Sequence, residues 1–189
     1  MDLGISVNVA PLLAEVRQFI EEEVLPVEHD YYSDIEVGDR WEFTDRQTDI
    51  RERLKDKAKA KGLWNFFLTG GSGGSGLNTV EYAYLAEEMG KSHMAAEVFN
   101  CAAPDTGNME VLHKYGTEAQ KKEWLEPLLN GEIRSAFAMT EPGVASSDAT
   151  NICTEAVLDG DEWVINGEKH YVSGAGDPRC KIMIVMVKT

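Results

Sequence analysis

The feature that most constrains this chain is a change of punctuation near residue 133. Before it, capping residues and glycines recur at intervals suited to short helices. After it, apolar runs are separated by Asp-Gly and Asn-Gly pairs suited to strands and tight turns. The junction is the run Ile133 to Met139, which reads as a strand, followed by Thr140-Glu-Pro-Gly-Val-Ala-Ser-Ser-Asp-Ala-Thr-Asn151. Small, hydroxyl-bearing and acidic residues there leave backbone N–H groups and hydroxyls accessible. Such a surface suits a flat, hydrogen-bonding ligand or a phosphate.

Upstream of the junction, Leu12, Leu13, Val16, Phe19, Ile20 and Val24 mark one face of a helix from Pro11 to Leu25, with Pro26 as its stop. The acidic and aromatic stretch from Glu28 to Trp41 has no clear period and reads as a loop. Thr44 and Gln47 form a capping-box pattern opening a second helix, with Ile50, Leu54 and Ala58 on one face. Lysines 55, 57, 59 and 61 crowd its end, where the helix dipole favours cations and a solvated face is expected. The run from Thr69 to Gly76 is rich in Gly and Ser. It reads as a flexible linker, because no phosphate-loop lysine or dinucleotide framework follows it.

Asn78 and Glu81 open a helix to Met89; Ser92 opens another through about Cys101, ended by Pro104. Asp105 or Thr106 begins the next, and Thr117 with Gln120 caps a last one carrying Trp124, Leu125, Leu128 and Leu129. Residues 1–132 therefore read as an all-helical domain.

Downstream, Asn151 to Leu158, Glu162 to Asn166, Lys169 to Ser173 and Lys181 to Val187 read as strands of an antiparallel meander. Residues 133–189 are thus expected to be a partial β-domain, and the fold class to be α+β, an all-α domain followed by the start of an antiparallel β-domain. The last, wholly apolar strand calls for neighbours beyond this chain. The chain reads as a piece of something longer.

Composition narrows the function. A net charge of −15 over 189 residues argues against nucleic acid, which needs a basic patch. Cys101, Cys153 and Cys180 have no paired spacing, and His29, His93, His113 and His170 have no i,i+4 partner. Neither a disulfide scaffold nor a metal site is expected. No apolar run approaches the ~20 residues of a membrane span. No leader pattern opens the chain, so the expected location is the cytoplasm, although a processed organelle protein would read the same way.

Several motifs occur together and in order. They are Leu125-Glu-Pro-Leu-Leu-Asn-Gly-Glu132, Phe137-Ala-Met-Thr-Glu-Pro142, Ile165-Asn-Gly-Glu-Lys169 and Tyr171-Val-Ser-Gly174. This combination resembles the acyl-CoA dehydrogenase family. The form of Thr140 to Ile152, with Ala103 to His113 and Ser173 to Ile182, is similar to the branch that includes its members ten and eleven. The resemblance covers nearly all of the chain outside the Gly/Ser stretch.

It implies an N-terminal helical domain, a middle β-domain and a C-terminal four-helix domain, with FAD between the last two. By motif, Phe137, Ala138, Met139, Thr140 and Ser146 would contact the flavin from one segment. Tyr171, Val172 and Ser173 would do so from a second. Ser147 would lie toward the acyl-CoA substrate. The family's usual form has one residue fewer between Glu-Pro and Ser-Asp, so Ser146 and Ser147 compete for one role. Tyr171 stands where the family usually has Trp.

The implied reaction removes an α-proton from an acyl-CoA and passes a β-hydride to the flavin, giving the 2-enoyl thioester. The family takes its catalytic carboxylate from the C-terminal domain, so no catalytic residue is expected in this chain, and Glu141 is expected to fix its loop. Implied partners are the acyl-CoA substrate, electron-transfer flavoprotein as acceptor, and further copies of the protein as dimer or tetramer. Two other readings stand beside this one: a non-catalytic interaction module on the same fold, and an acyl-CoA oxidase.

Overall fold

The structure is a computed structural model that describes residues 3–39, 42–69 and 75–189. Residues 70–74, the centre of the Gly/Ser stretch, and Trp41, the end of the expected loop, lie outside the described residues. The chain forms two compact units that divide between Thr106 and Gly107. That division by packing differs from the change of pattern at 132/133.

The first unit is helical. Helix α1 (Val9–Phe19) buries Val9, Leu13, Val16 and Phe19. It does not end at Pro26. Ile20–Val24 widen into a π turn, with the Leu25 N–H bonded to Ile20 O, and α2 (Leu25–Ser33) follows directly. A proline ring crowds the carbonyl four residues back and offers no N–H. Widening the turn just before it makes room. Half of the stretch expected as a loop is therefore helix.

Helix α3 (Asp45–Ala60) starts at the capping box of Thr44 and Gln47, as the sequence predicts. Its lysines are not all solvated. Lys55 is 2% exposed, with Nζ 3.4 Å from Glu52 and 3.7 Å from Glu97. Arg51 is buried in the same cluster, its guanidinium 4.6 Å from the Phe43 ring centre. An i,i+4 pair pointing inward is indistinguishable by charge pattern from one pointing out.

Helix α4 (Thr79–Met89) opens with a complete capping box from Asn78 and Glu81. Helix α5 is only Ala95–Val98, shorter than the expected run from Ser92, although Ser92 Oγ does accept the Met94 N–H. Phe99 sits in the core, with ring centres 5.4 Å from Phe19 and 5.9 Å from Phe66.

Helix α6 (Asp105–Tyr115) spans the division. The second unit then holds α7 (Glu118–Gln120), a π turn at Lys121–Leu125, and α8 (Glu126–Leu129). This π turn again precedes a proline, Pro127, with the Glu126 N–H bonded to Lys121 O.

Four strands follow: β1 (Arg134–Ala138), β2 (Glu155–Asp159), β3 (Glu162–Asn166) and β4 (Cys180–Val185). Strands β2 and β3 form the expected antiparallel hairpin at Asp159-Gly160. The rest of the meander is not formed. Lys169 to Ser173 is not a strand, and β4 pairs in parallel with β1, Phe137 opposite Ile184 and Ala138 opposite Val185. The neighbour that the apolar last strand needs is therefore supplied by the junction strand. Trp163 on β3 is 56% exposed.

Candidate functional site

Strand β1 delivers the junction loop from a fixed point. Ala136 and Ala138 are buried on it, and Asn108 of α6, itself buried, donates to Ser135 Oγ at 2.9 Å and Ala136 O at 3.0 Å. Asn108 lies within the Ala103 to His113 stretch, but nothing local gives it a role, because its partners are on a strand it meets only in the fold.

At the end of β1, three successive carbonyls are engaged within the chain. Ala138 O accepts the Met186 N–H at 2.9 Å. Met139 O accepts Lys169 Nζ at 3.0 Å, and Thr140 O accepts the His170 N–H at 2.9 Å. The Thr140 hydroxyl takes part in none of these bonds. Each of the three carbonyls thus has one lone pair engaged within the chain, which shifts the segment's hydrogen-bonding balance toward donation.

Glu141 closes the loop. Its buried carboxylate accepts the Cys153 N–H at 2.7 Å, the Thr154 N–H at 2.8 Å and Lys169 Nζ at 2.8 Å. Lys169 first, with the two amides, holds this carboxyl down to about 2. A carboxyl held this low is a weak base for a substrate proton. The expectation that Glu141 fixes its loop agrees with this geometry.

The approach of Lys169 depends on Gly167. A Cβ there would lie 2.3 to 2.7 Å from the Thr154 side chain. The Asn166-Gly167 pair, read as a hairpin turn, therefore serves as a point of close packing.

The two candidate serines part ways. Ser146 is buried, its Oγ accepting the Glu141 N–H at 2.6 Å and lying 3.2 Å from Val144 O. Its hydroxyl is spent inside the turn. Ser147 is exposed, and the following Asp148 folds back on the Thr150 N–H and hydroxyl, which lowers its carboxyl.

The second candidate segment is brought beside the first by the His170–Thr140 bond. Tyr171 is 88% exposed and holds a left-handed φ of 52°, uncommon for a bulky residue. Its ring lies 4.3 Å from that of His170, whose Nδ1 is buried without a hydrogen bond. Val172 is half-buried and Ser173 exposed. Phe137 and Met139 are half-buried. The structure thus gathers both predicted segments, Phe137 to Ser147 and Tyr171 to Ser173, along one edge of the second unit. No group of side chains suited to a metal ion occurs among the described residues.

A helical unit followed by a small sheet, with a tightly hydrogen-bonded loop at the end of its first strand, defines an α+β protein. Comparison with known proteins makes this specific. Residues 10–132 match the family model "Acyl-CoA dehydrogenase, N-terminal domain" and residues 136–189 match "Acyl-CoA dehydrogenase, middle domain". The chain belongs to the acyl-CoA dehydrogenase family.

Among its relatives is "Acyl-CoA dehydrogenase family member 11" of Gallus gallus, 54% identical over 182 residues, or 94% of this chain and 22% of the relative. A solved acyl-CoA dehydrogenase-family structure from Mycobacterium abscessus is 51% identical with a TM-score of 0.86, covering 95% of this chain and 46% of that one. An acyl-CoA dehydrogenase from Bacillus anthracis, solved in complex with FAD, is 28% identical with a TM-score of 0.64, covering 97% of this chain and 29% of that one. The chain thus spans less than half the length of each of these relatives.

Proposed function

We propose that the protein carries out FAD-dependent α,β-dehydrogenation of an acyl-CoA thioester to the 2-enoyl-CoA, and that this chain contributes the helical domain and one wall of the flavin site. The observation that carries this reading is the commitment of the Ala138, Met139 and Thr140 carbonyls. It shifts the balance of this edge toward donation, and N1, N5, O2 and O4 of a flavin ring are acceptors. The family membership and the FAD-bound relative support the choice of cofactor.

In this reading Thr140 would donate to the ring from the first segment, beside Phe137, Ala138 and Met139. Tyr171 would supply a flat face from the second, with Val172 and Ser173 along the ring edge. Ser147, the outward hydroxyl of the pair, would face the thioester. Ser146 would support the turn from within. FAD, when bound, supplies the two-electron acceptor.

The proton must be taken by a carboxylate that is free to accept it. Glu141 is held by three donors and Asp148 by Thr150, so the base is assigned to a part of the protein outside these residues. We further assign acyl-CoA as substrate, electron-transfer flavoprotein as electron acceptor, self-association as dimer or tetramer, and a cytoplasmic location. The domain boundary is placed at 132/133.

The test is to purify the full protein and add acyl-CoA without oxygen. Bound FAD whose absorbance bleaches on addition is the expected result. Colourless protein that takes up no added FAD would overturn the proposal. The chain of residues 1–189 alone should turn over no acyl-CoA with an artificial electron acceptor.

A further inference from the structure

We infer that Glu141 and Lys169 form a latch that sets the spacing between the two flavin-facing segments, making both of them positioning residues. The inference rests on the FAD reading above, which assigned neither residue a role toward the cofactor.

The geometry is specific. Lys169 Nζ bridges Met139 O at 3.0 Å and Glu141 Oε1 at 2.8 Å, while the adjacent His170 N–H takes Thr140 O at 2.9 Å. Residues 139, 140 and 141 are thus each hooked by 169 or 170. On its other side the Glu141 carboxylate gathers the Cys153 and Thr154 amides. One buried ion pair joins three stretches of chain that are far apart in sequence. Its side chains are 5% and 11% exposed, so water competes weakly for the charges.

The latch lies two residues from Met139 on one side and two from Tyr171 on the other. No side chain of the pair has to touch a ligand to matter. If the segments separate, Thr140 and Tyr171 no longer face one ring together, and only the closed fraction binds. Apparent affinity falls by that fraction.

The pair is also asymmetric. The Cys153 and Thr154 amides require an acceptor, and Met139 O requires a donor. Exchanging the two residues keeps the charge balance but leaves both requirements unmet.

The test uses the full protein and four variants: E141Q, K169M, K169R and the exchanged pair E141K/K169E. FAD affinity of the apoprotein is read by fluorescence titration, together with the absorbance spectrum of bound flavin. Amide exchange at Cys153, Thr154 and His170 is followed in the apoprotein. Expected for K169M and the exchanged pair is a loss of affinity of roughly tenfold or more, with an altered flavin spectrum. Exchange at all three amides should rise. E141Q keeps an acceptor and should fall between, and K169R should restore near-normal affinity.

Affinity within about twofold of wild type in K169M, alongside faster exchange, would show that the pair stabilises the loop without positioning the cofactor, and would overturn the inference. Unchanged His170 exchange in E141Q and K169M would overturn it as well. If wild-type protein binds no FAD, the functional reading fails on its own. The coupling between segments then stands or falls on whether K169M raises exchange at both Thr154 and His170.

Discussion

Strands β1 and β3 are each five residues long, and their burial is opposite. Along β1, Ser135, Ala136 and Ala138 are buried and the rest half-buried. Along β3 all five residues, from Glu162 to Asn166, are exposed, Trp163, Val164 and Ile165 included. The difference follows from what each strand pairs with. Strand β1 has β4 beside it and Asn108 against its backbone, whereas among the described residues β3 has only its hairpin partner β2. Apolar content therefore does not measure cover. The strand with smaller side chains is the buried one, and it is the strand that leads into the site.

The sharpest way to break this comparison is to place a charge on each strand. Ala136→Asp puts a carboxylate at a position with no exposure and no cation assigned to it. An unpaired buried charge is among the most damaging substitutions, and a loss of about 4 kcal/mol or more is expected, read as collapse of the urea unfolding transition. The equivalent change on β3, Val164→Asp, should leave that transition nearly in place. Equal losses from the two would mean that burial is not what separates the strands.

The next effect concerns the approach of Lys169. Gly167→Ala drives a Cβ into Thr154, at 2.3 Å from its hydroxyl oxygen and 2.7 Å from its Cβ. Overpacking of this kind costs roughly 1–3 kcal/mol. Thr154→Ala removes the atoms nearest the added methyl but not Cβ, so the double variant should recover part of the loss. No recovery would show that the left-handed backbone at 167, rather than crowding, sets the requirement.

Asn108→Ala tests what holds β1. It removes donors to Ser135 Oγ and Ala136 O, both at buried residues. Losing both of these buried hydrogen bonds costs about 1–3 kcal/mol, measurable as a lowered urea midpoint with unchanged slope. Asn108→Asp should be at least as damaging, since a buried carboxylate would then face the Ala136 carbonyl.

Acid should also separate the regions. Glu141 is held down to about 2 by Lys169 and its hydrogen bonds, against an ordinary 4.5. The unfolded chain then takes up its proton first. The contribution of Glu141 is complete above about 4.5 and drains away as the pH falls toward 2. Stability measured between pH 5 and pH 3 should decline more steeply in the wild type than in E141Q. Glu88 of the first unit, held down to about 2 chiefly by Arg17, adds a decline of the same sign. A double variant with Glu88→Gln should therefore flatten the profile further.

Much of this was legible in the sequence, and the reasons for success and failure are physical. Capping boxes at Thr44, Asn78 and Thr117 depend on residues three apart, so local sequence identifies them. The Asp159-Gly160 turn is local too. The candidate segments stand out in the sequence because their motifs are contiguous. What escaped were long-range choices. Pro26 reads as a stop because the π turn that accommodates it leaves no mark in composition. Lys55 reads as solvated because nothing local says that Glu97 will lie beside it. The parallel partner of β4 is more than 40 residues away, and Lys169 meets Glu141 only after the hairpin has been folded between them.

The smallest expected effect lies on the hairpin itself. Ala156, Leu158, Trp163 and Ile165 share one face through the pairings Ala156 with Ile165 and Leu158 with Trp163. Of these only Ala156 is buried, and the other three are more than half exposed. An apolar side chain already in water gives up little when shortened, so Ile165→Thr should change the stability of this chain by no more than about 0.5 kcal/mol. Threonine also suits a strand, which removes propensity as a confounding cause. The measurement is urea unfolding at two protein concentrations, with sedimentation to report the state of association. A loss above about 1 kcal/mol that grows with concentration would mean that copies of the chain cover this face in one another. A loss independent of concentration would place the face against the chain's own residues and remove the contrast between β1 and β3.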